Sequence, residues 1–404
     1  MTLRQRIAAL LVNTIIVSVA VIAIQNGAAA QHYKQTNLVT SDQSLASAAV
    51  TDPNLINPWG VSLNPAGGAL WTSNNGSGKF GLYTGDVGGS PVKVAGLAPT
   101  VPGLPGFSGS PTGQVFNGSS DFKLTSGPAR FITASEDGTL SAWNGNPSAT
   151  ATRVVNRSDF GAVYKGLAIG SNSNGNFLYA SNFHSGKIDV YDGNFSSATL
   201  SGSFTDPNAP TDYAPFNLKA VGNRVYVTYA QQAIGGHEEV KGIGKGFVDV
   251  FDTNGNFVSR LATGSSLGPA GIASLDAPWG LAVAPSNFGK FSNDLLVGNF
   301  GSGQIDAFDP ITGKFEGVLR DAHGKPIVID GLWGLTFGNG VAAGDLNKLY
   351  FTAGINDEAG GLLGSIAVTS VPEPGALATF GVAGLSLIGM IARRRRSPLR
   401  HRSA

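Results

Sequence analysis

Four histidines lie outside the C-terminal tail, His32, His184, His237 and His323, and the 404 residues contain no cysteine. That is a thin set for proton transfer or nucleophilic attack. No Gly-x-Ser-x-Gly occurs, and a Ser-His-Asp triad is defined by geometry rather than spacing, so the sequence offers no support for one. No His-x-x-x-His or cysteine pair suggests a metal cage. "DTNGN" begins like a calcium loop, with oxygen side chains at Asp252, Asn254 and Asn256, but Thr263 stands where a bidentate glutamate belongs. It sits between two apolar runs and reads as a hairpin turn. "GGHEEVKGIGKG" around His237 is a polar, glycine-rich insertion, and a loop that departs from a regular pattern is where function concentrates. It is no phosphate loop, because no helix and no Gly-Lys-Ser/Thr follow. His184 and His237 are the two weak candidates for a catalytic base. No cofactor is expected, apart from a divalent cation if the protein is an enzyme.

A second group of residues suits binding. Trp59, Trp279 and Trp333 each open a short apolar run, and Asn57, Asn74, Asn182 and Asn299 stand close to such runs. Indole faces and amide groups fit a neutral polar ligand such as a sugar, through stacking and hydrogen bonds. The same residues also suit packing between repeated units, and asparagine suits turns.

The elements that would carry these residues repeat. A first run such as "WGVSL" at Trp59 or "WGLAV" at Trp279 is followed by "ALWTSN", "FLYASNF" or "DLLVGNF". Next come "KFGLYTG", "KIDVYDG" or "QIDAFDP", and then a weaker fourth run such as "GNFVSRLA" or "GKFEGVL". Alternation and turn dipeptides make these strands, with no convincing helical period between residues 31 and 370. Copies begin at Trp59, Lys165, Phe216, Trp279 and Gly331, with a degenerate second copy of "DFKLTS" at Asp121, "RFITASEDG" and "TLSAWNG". Six units of roughly fifty residues predict an all-β, six-bladed propeller of four-stranded blades. The last copy stops after its third strand, and "YKQTNLVTSD" from Tyr33 is predicted to supply the fourth and close the ring. Strands alternate in direction, so Asn57, Trp59, Asn74, Asn182, His184, Trp279, Asn299 and Trp333 fall at one mouth of the channel. His184 breaks the pattern, since glycine or asparagine holds its place in copies one and five.

The order of runs resembles the NHL-type propeller repeat, with its Pro-x-Gly-hydrophobic opening, its "LYVTN"-like second strand and its "xIxVFD"-like third strand.

Both ends of the chain lie outside this pattern. Residues 1–30 carry Arg4 and Arg6, an apolar stretch and Gly27-Ala28-Ala29-Ala30, the plan of a signal peptide cleaved after Ala30. An uncleaved anchor is the other reading. At the C-terminus, Pro372-Glu373-Pro374 precedes a charge-free apolar segment, Gly375 to Ala392, and the basic block Arg393, Arg394, Arg395 and Arg396. Residues 371–404 resemble the PEP-CTERM sorting signal, which implies recognition by an exosortase, a membrane cysteine transpeptidase. An ordinary anchor helix is the alternative, and both place residues 31–370 outside the cytoplasm. The whole plan looks like a family of uncharacterised bacterial proteins that pair a propeller with this signal, a resemblance that implies no established activity.

Without the eight arginines of the two ends, 19 basic residues face 26 acidic ones, a net charge of −7 for the body. That argues against nucleic acid or an anionic membrane surface as partner. The expected partners are the secretion machinery, the exosortase, the membrane through the C-terminal helix, and a glycan or envelope protein. The sequence therefore points to an exported binding or structural propeller of the envelope or extracellular matrix. The alternative is an extracytoplasmic lyase or hydrolase acting on polysaccharide.

Overall fold

A computed structural model describes residues 31–145, 149–264 and 274–370. The expected signal peptide, Pro-Glu-Pro segment, apolar helix and arginine block lie outside the described residues. Among the described residues no helix is long and apolar enough to cross a membrane. The propeller is one unit, Tyr33–Val368. Of the other unit, only residues 31–32 and 369–370 are described.

Six sheets follow one another along the chain, and their first strands touch in ring order. Those inner strands are Pro58–Leu63, Pro111–Phe116, Tyr164–Asn172, Tyr213–Val221, Pro278–Val283 and Leu332–Phe337. Each blade then steps outward through antiparallel neighbours. In blade 4 the second, third and outer strands are Arg224–Gln231, Gly246–Asp252 and Phe257–Thr263. "DTNGN" is the turn between the last two: the Asp252 carboxylate accepts backbone N–H bonds from Asn254 and Asn256, both at 2.9 Å.

The period of two in a strand decides where each side chain goes. In the second strand of blade 3, Phe177 and Tyr179 enter the core shared with blade 4, while Leu178 and Ala180 enter the core shared with blade 2. Repeated around the ring, this gives one apolar core at every blade junction and a further one on the axis. The inner strands come closest at the glycine of the Pro-x-Gly opening. A Cβ on Gly113 would lie 2.2 Å from the backbone nitrogen of Leu167, and one on Gly60 would lie 2.5 Å from the carbonyl oxygen of Thr112.

Blade 6 is closed as expected. Leu332–Phe337, Leu349–Ala353 and Leu362–Ser370 take Gln31–Thr40 as their next strand. The closing strand serves two cores: Tyr33 packs between blades 5 and 6, and Leu38 and Val39 pack between blades 6 and 1.

Two expectations are corrected. The inner strand of blade 2 is not "DFKLTS" at Asp121 but Pro111–Phe116. Pro111-Thr112-Gly113 keeps the Pro-x-Gly spacing, but threonine replaces the bulky residue that marks the other copies. "DFKLTS" instead folds into a short hairpin, Lys123–Leu124 against Gly127–Pro128, whose return strand begins at Gly127 with φ +124°. Blade 3 has three strands rather than four. The stretch after Lys187–Asp192 is rich in serine, proline and aspartate and makes a single bridge, Tyr191 to Ser197.

The closing strand supplies the first prediction. Tyr33 is 3% exposed, stacks on Phe291 at 5.7 Å and donates to the Phe288 carbonyl at 2.9 Å. Tyr33→Ala should lower unfolding stability by about 3 kcal/mol, the range for emptying an aromatic site. Urea denaturation checks it, and a loss below about 1 kcal/mol would mean that this strand end does not help to close the ring.

Candidate functional site

The residue between the proline and glycine positions of each inner strand points toward the axis. In blade order these are Trp59, Thr112, Lys165, Phe216, Trp279 and Trp333. Four are aromatic and meet in the middle. Trp59 stacks on Trp333 with centroids 3.6 Å apart, and Trp333 stacks on Phe300 at 3.8 Å. Trp59 also makes edge contacts with Trp279 at 5.9 Å and with Phe216 of the opposite blade at 6.4 Å. Contact between opposite blades means that the rings plug the channel at this end. All three tryptophans are buried.

Lys165 takes the place of an aromatic in the ring and is fully buried. Its ammonium lies 5.0 Å from the Trp59 ring centroid and bonds Glu136 at 2.6 Å and Glu238 at 3.3 Å. Burial opposes its charge, but Glu136, Glu239 and Glu238 outweigh that and hold its pKa above the ordinary lysine range. Burial pushes the Glu239 carboxyl up to about 7, although Lys165 pulls the other way. The second glutamate oxygen, Oε2 of Glu239, and Nε1 of Trp59 are buried without a partner among the described residues. His184 and His237 come together over this end, with ring centroids 5.0 Å apart, and both are exposed. His184 Nδ1 bonds the backbone carbonyl of Gly235 at 3.1 Å, not a carboxylate that would orient a general base. Among the described residues no group of three or more His, Asp, Glu or Cys is placed to hold a metal ion.

The asparagines are occupied inside the fold. Asn57 accepts from Trp333 Nε1 at 3.0 Å and donates to Glu358 at 2.6 Å. Asn74 donates to the Asn54 carbonyl at 2.9 Å and accepts from Thr72 at 2.7 Å. Asn182 and Asn299 close the second-to-third strand turns of blades 3 and 5 by donating to Asp189 at 3.1 Å and Asp306 at 3.0 Å. The sequence-selected residues therefore do share one end of the channel, with the tryptophans and asparagines buried and the histidines at the rim.

The open space is at the other end. There the inner strands of all six blades wall a funnel of about 300 Å³, floored by Trp279. Its polar lining includes Ser62, Gln114, Asn217, Lys219 and Thr336. Gln114 donates to Ser62 at 2.8 Å, and Asn217 donates to the Trp279 carbonyl at 2.8 Å. The Lys219 ammonium has no hydrogen-bond or ion-pair partner among the described residues, and desolvation alone lowers its pKa. Sequence reasoning passed over Lys219 and Lys165. Each had a signal: "YKG" stands where blades 1 and 5 have "PWG", and Lys219 is the one charged residue three places after the ring position. Glu136 and Glu239 carried none, because their burial depends on loops from different blades.

The Asn299–Asp306 pair makes stability depend on pH. Asp306 is 1% exposed, and its Oδ1 has no partner among the described residues. Burial pushes its carboxyl up to about 6, against the opposing effect of the Asn299 bond. A carboxyl with a higher pKa in the folded chain binds its proton more tightly there. Its contribution is therefore full below about pH 4 and falls as pH rises to about 6. Asp306→Asn should remove a decline of up to about 3 kcal/mol across that window. Urea unfolding at pH 4 and pH 6.5 tests this; equal slopes for both proteins would refute it.

Comparison with known proteins places the chain. Residues 370–396 match the PEP-CTERM protein-sorting motif, which covers Pro372 to Pro374 and Arg393 to Arg396. The motif implies an exported protein, anchored at its C-terminus and sorted by an exosortase. An auxiliary nutrient binding protein from Bacteroides ovatus superposes with a TM-score of 0.53, 12% identity, and coverage of 85% of this chain and 78% of that one. A glucose dehydrogenase superposes with a TM-score of 0.50 at 12% identity, covering 82% of this chain and 98% of that one. A binding protein and an oxidoreductase share the fold, so the fold leaves the activity open. An uncharacterised protein of Acanthamoeba polyphaga mimivirus is 33% identical over 336 residues, 80% of this chain and 78% of its own. The chain belongs to one family with that mimivirus protein and carries a PEP-CTERM sorting motif at its C-terminus.

Proposed function

We propose that this exported, exosortase-sorted propeller is a binding protein of the cell envelope or matrix, and that its ligand sits in the axial funnel. Lys219 carries this reading: an unpaired, partly desolvated ammonium in a cavity walled by every blade. A partly desolvated cation without a counter-ion is unfavourable, and a ligand carboxylate or phosphate would relieve that cost through a charge-assisted bond. Ser62, Thr336 and Gln114 supply neutral polar contacts, and Trp279 offers an aromatic floor. Of the residues selected from sequence, Trp279 would meet this ligand. Asn57, Trp59, Asn74, Asn182, Asn299 and Trp333 support the floor from behind. The polysaccharide lyase or hydrolase reading rests on the His184–His237 pair alone.

Small sugar acids should raise the melting temperature of the wild type, and Lys219→Met should weaken their binding at least about tenfold, the equivalent of 1.4 kcal/mol. Thermal shift and calorimetry read both. Equal binding of neutral sugars with no effect of Lys219→Met would remove the proposal.

The location rests on the two ends of the chain. In this reading the signal peptide, residues 1–30, is removed, and residues 31–370 stand outside the cytoplasm. Deleting Gly375 to Ala404 should release the body or misplace it in fractionated cells. Unchanged fractionation would mean that the tail does not sort the protein.

A further inference from the structure

A second cavity adjoins the funnel at Phe116. Phe116, the last residue of the inner strand of blade 2, walls both the funnel and a second cavity of about 470 Å³. That cavity runs outward between blades 1 and 2. Its base is aromatic: Trp71 stacks on Phe131 at 4.1 Å and tilts against Trp143 at 4.9 Å. Trp71 and Phe131 are buried, whereas Phe116 and Trp143 are half-buried and Arg130 at the edge is exposed. Gly67 and Gly68 also line the cavity, and a Cβ on Gly68 would meet nothing within 4 Å.

Size decides between one ligand unit and several. Ligand pockets run from about 300 to 1,000 Å³, so the funnel by itself is at the small end, while funnel and cleft together hold a longer molecule. The chemistry of the cleft suits a sugar. Half-exposed aromatic faces stack on the apolar side of a sugar ring, and a guanidinium fork pairs with a carboxylate. The body's net charge of −7 does not forbid an acidic ligand. Exposed charges are screened beyond about 8 Å at physiological ionic strength, whereas Lys219 and Arg130 would act at contact.

We propose that the cleft between blades 1 and 2 is a second saccharide subsite, continuous with the funnel across Phe116, so that the ligand is a carboxylate-bearing oligosaccharide. This rests on the funnel reading for one end of the ligand. Cleft and floor hold all five tryptophans of the chain, Trp71 and Trp143 in the first, Trp59, Trp279 and Trp333 in the second. Intrinsic fluorescence therefore reports both ends.

The purified full-length protein is titrated with galacturonic acid, with its tetrasaccharide and with neutral cellotetraose. The acidic tetrasaccharide should bind at least about tenfold more tightly than the monosaccharide, a gain of 1.4 kcal/mol, and cellotetraose more weakly than both. Arg130→Ala and Trp143→Ala should each cut the chain-length gain and leave monosaccharide binding unchanged. Arg130 is exposed, so its variant keeps the test open if Trp143→Ala fails to fold. Lys219→Met should weaken both acidic ligands. A length gain untouched by Arg130→Ala and Trp143→Ala overturns the cleft and leaves the funnel standing. Equal binding of monosaccharide and tetrasaccharide also overturns the cleft. Loss of the gain in Arg130→Ala with no effect of Lys219→Met upholds the cleft and overturns the funnel. Equal binding of cellotetraose overturns the acidic character of the ligand.

Discussion

The molecule depends on how closely six backbones approach its axis. Where each inner strand passes its neighbour, five blades have glycine and an added Cβ would strike the next strand. At Gly280 it would lie 2.6 Å from the Trp333 carbonyl oxygen, and at Gly334 it would lie 2.6 Å from that of Trp59. Blade 4 has Asn217 instead, and its amide bonds the neighbouring strand. Overlaps of this size cannot be absorbed by side-chain movement, because the obstacle is backbone. The residue before each glycine is thereby brought to the axis, where six side chains share a space narrow enough for opposite blades to touch. Aromatic rings fill it, and the channel closes at that end.

Closure at one end gives the other end its character. A propeller open at both ends would leave its inner strands lined by water. With the plug as a floor, the remaining channel is a blind funnel in which a charge is partly desolvated. The two lysines of the inner strands show the contrast. Lys165, in the plug, is held by Glu136 and Glu238 and stays charged as part of the structure. Lys219, in the funnel, has no such partner among the described residues. A side chain that the fold has already paired cannot serve a ligand, whereas an unpaired one in a cavity is an incomplete site.

Much of the architecture was legible in the sequence because it repeats. A Trp-Gly opening, an Asn-ended second strand or an Asp-bearing third strand, not all three in every copy, located blades 1, 3, 4, 5 and 6, and the leftover segment at Tyr33 located the closing strand. The inner strand of blade 2 carries no bulky ring residue to mark it; "PTG" keeps the close-approach glycine, which five of the six blades share, behind a threonine. The gathering of tryptophans and asparagines at one end followed from strand direction, which the sequence does carry. Their burial did not follow, since it depends on six units meeting at once. The cleft at Phe116 was equally invisible, because Trp71, Arg130 and Trp143 come from separate segments of two blades.

Repetition also shows where to look for what is specific to this chain. Residues that recur at one position serve the geometry common to all blades: glycine for approach, tryptophan for the plug, Asn–Asp for the turn. Selective recognition needs asymmetry, because a six-fold ring of identical side chains has no means to orient a ligand that lacks six-fold symmetry. The departures are few: Lys165 and Thr112 in the ring, Asn217 among the glycines, Lys219 in the funnel wall, and the tryptophan pair between blades 1 and 2 alone. Lys165 and Asn217 are consumed by internal bonds, and Thr112 donates to the Tyr164 carbonyl at 2.8 Å. The funnel lysine and the aromatic cleft remain, and they face the same open end of the ring.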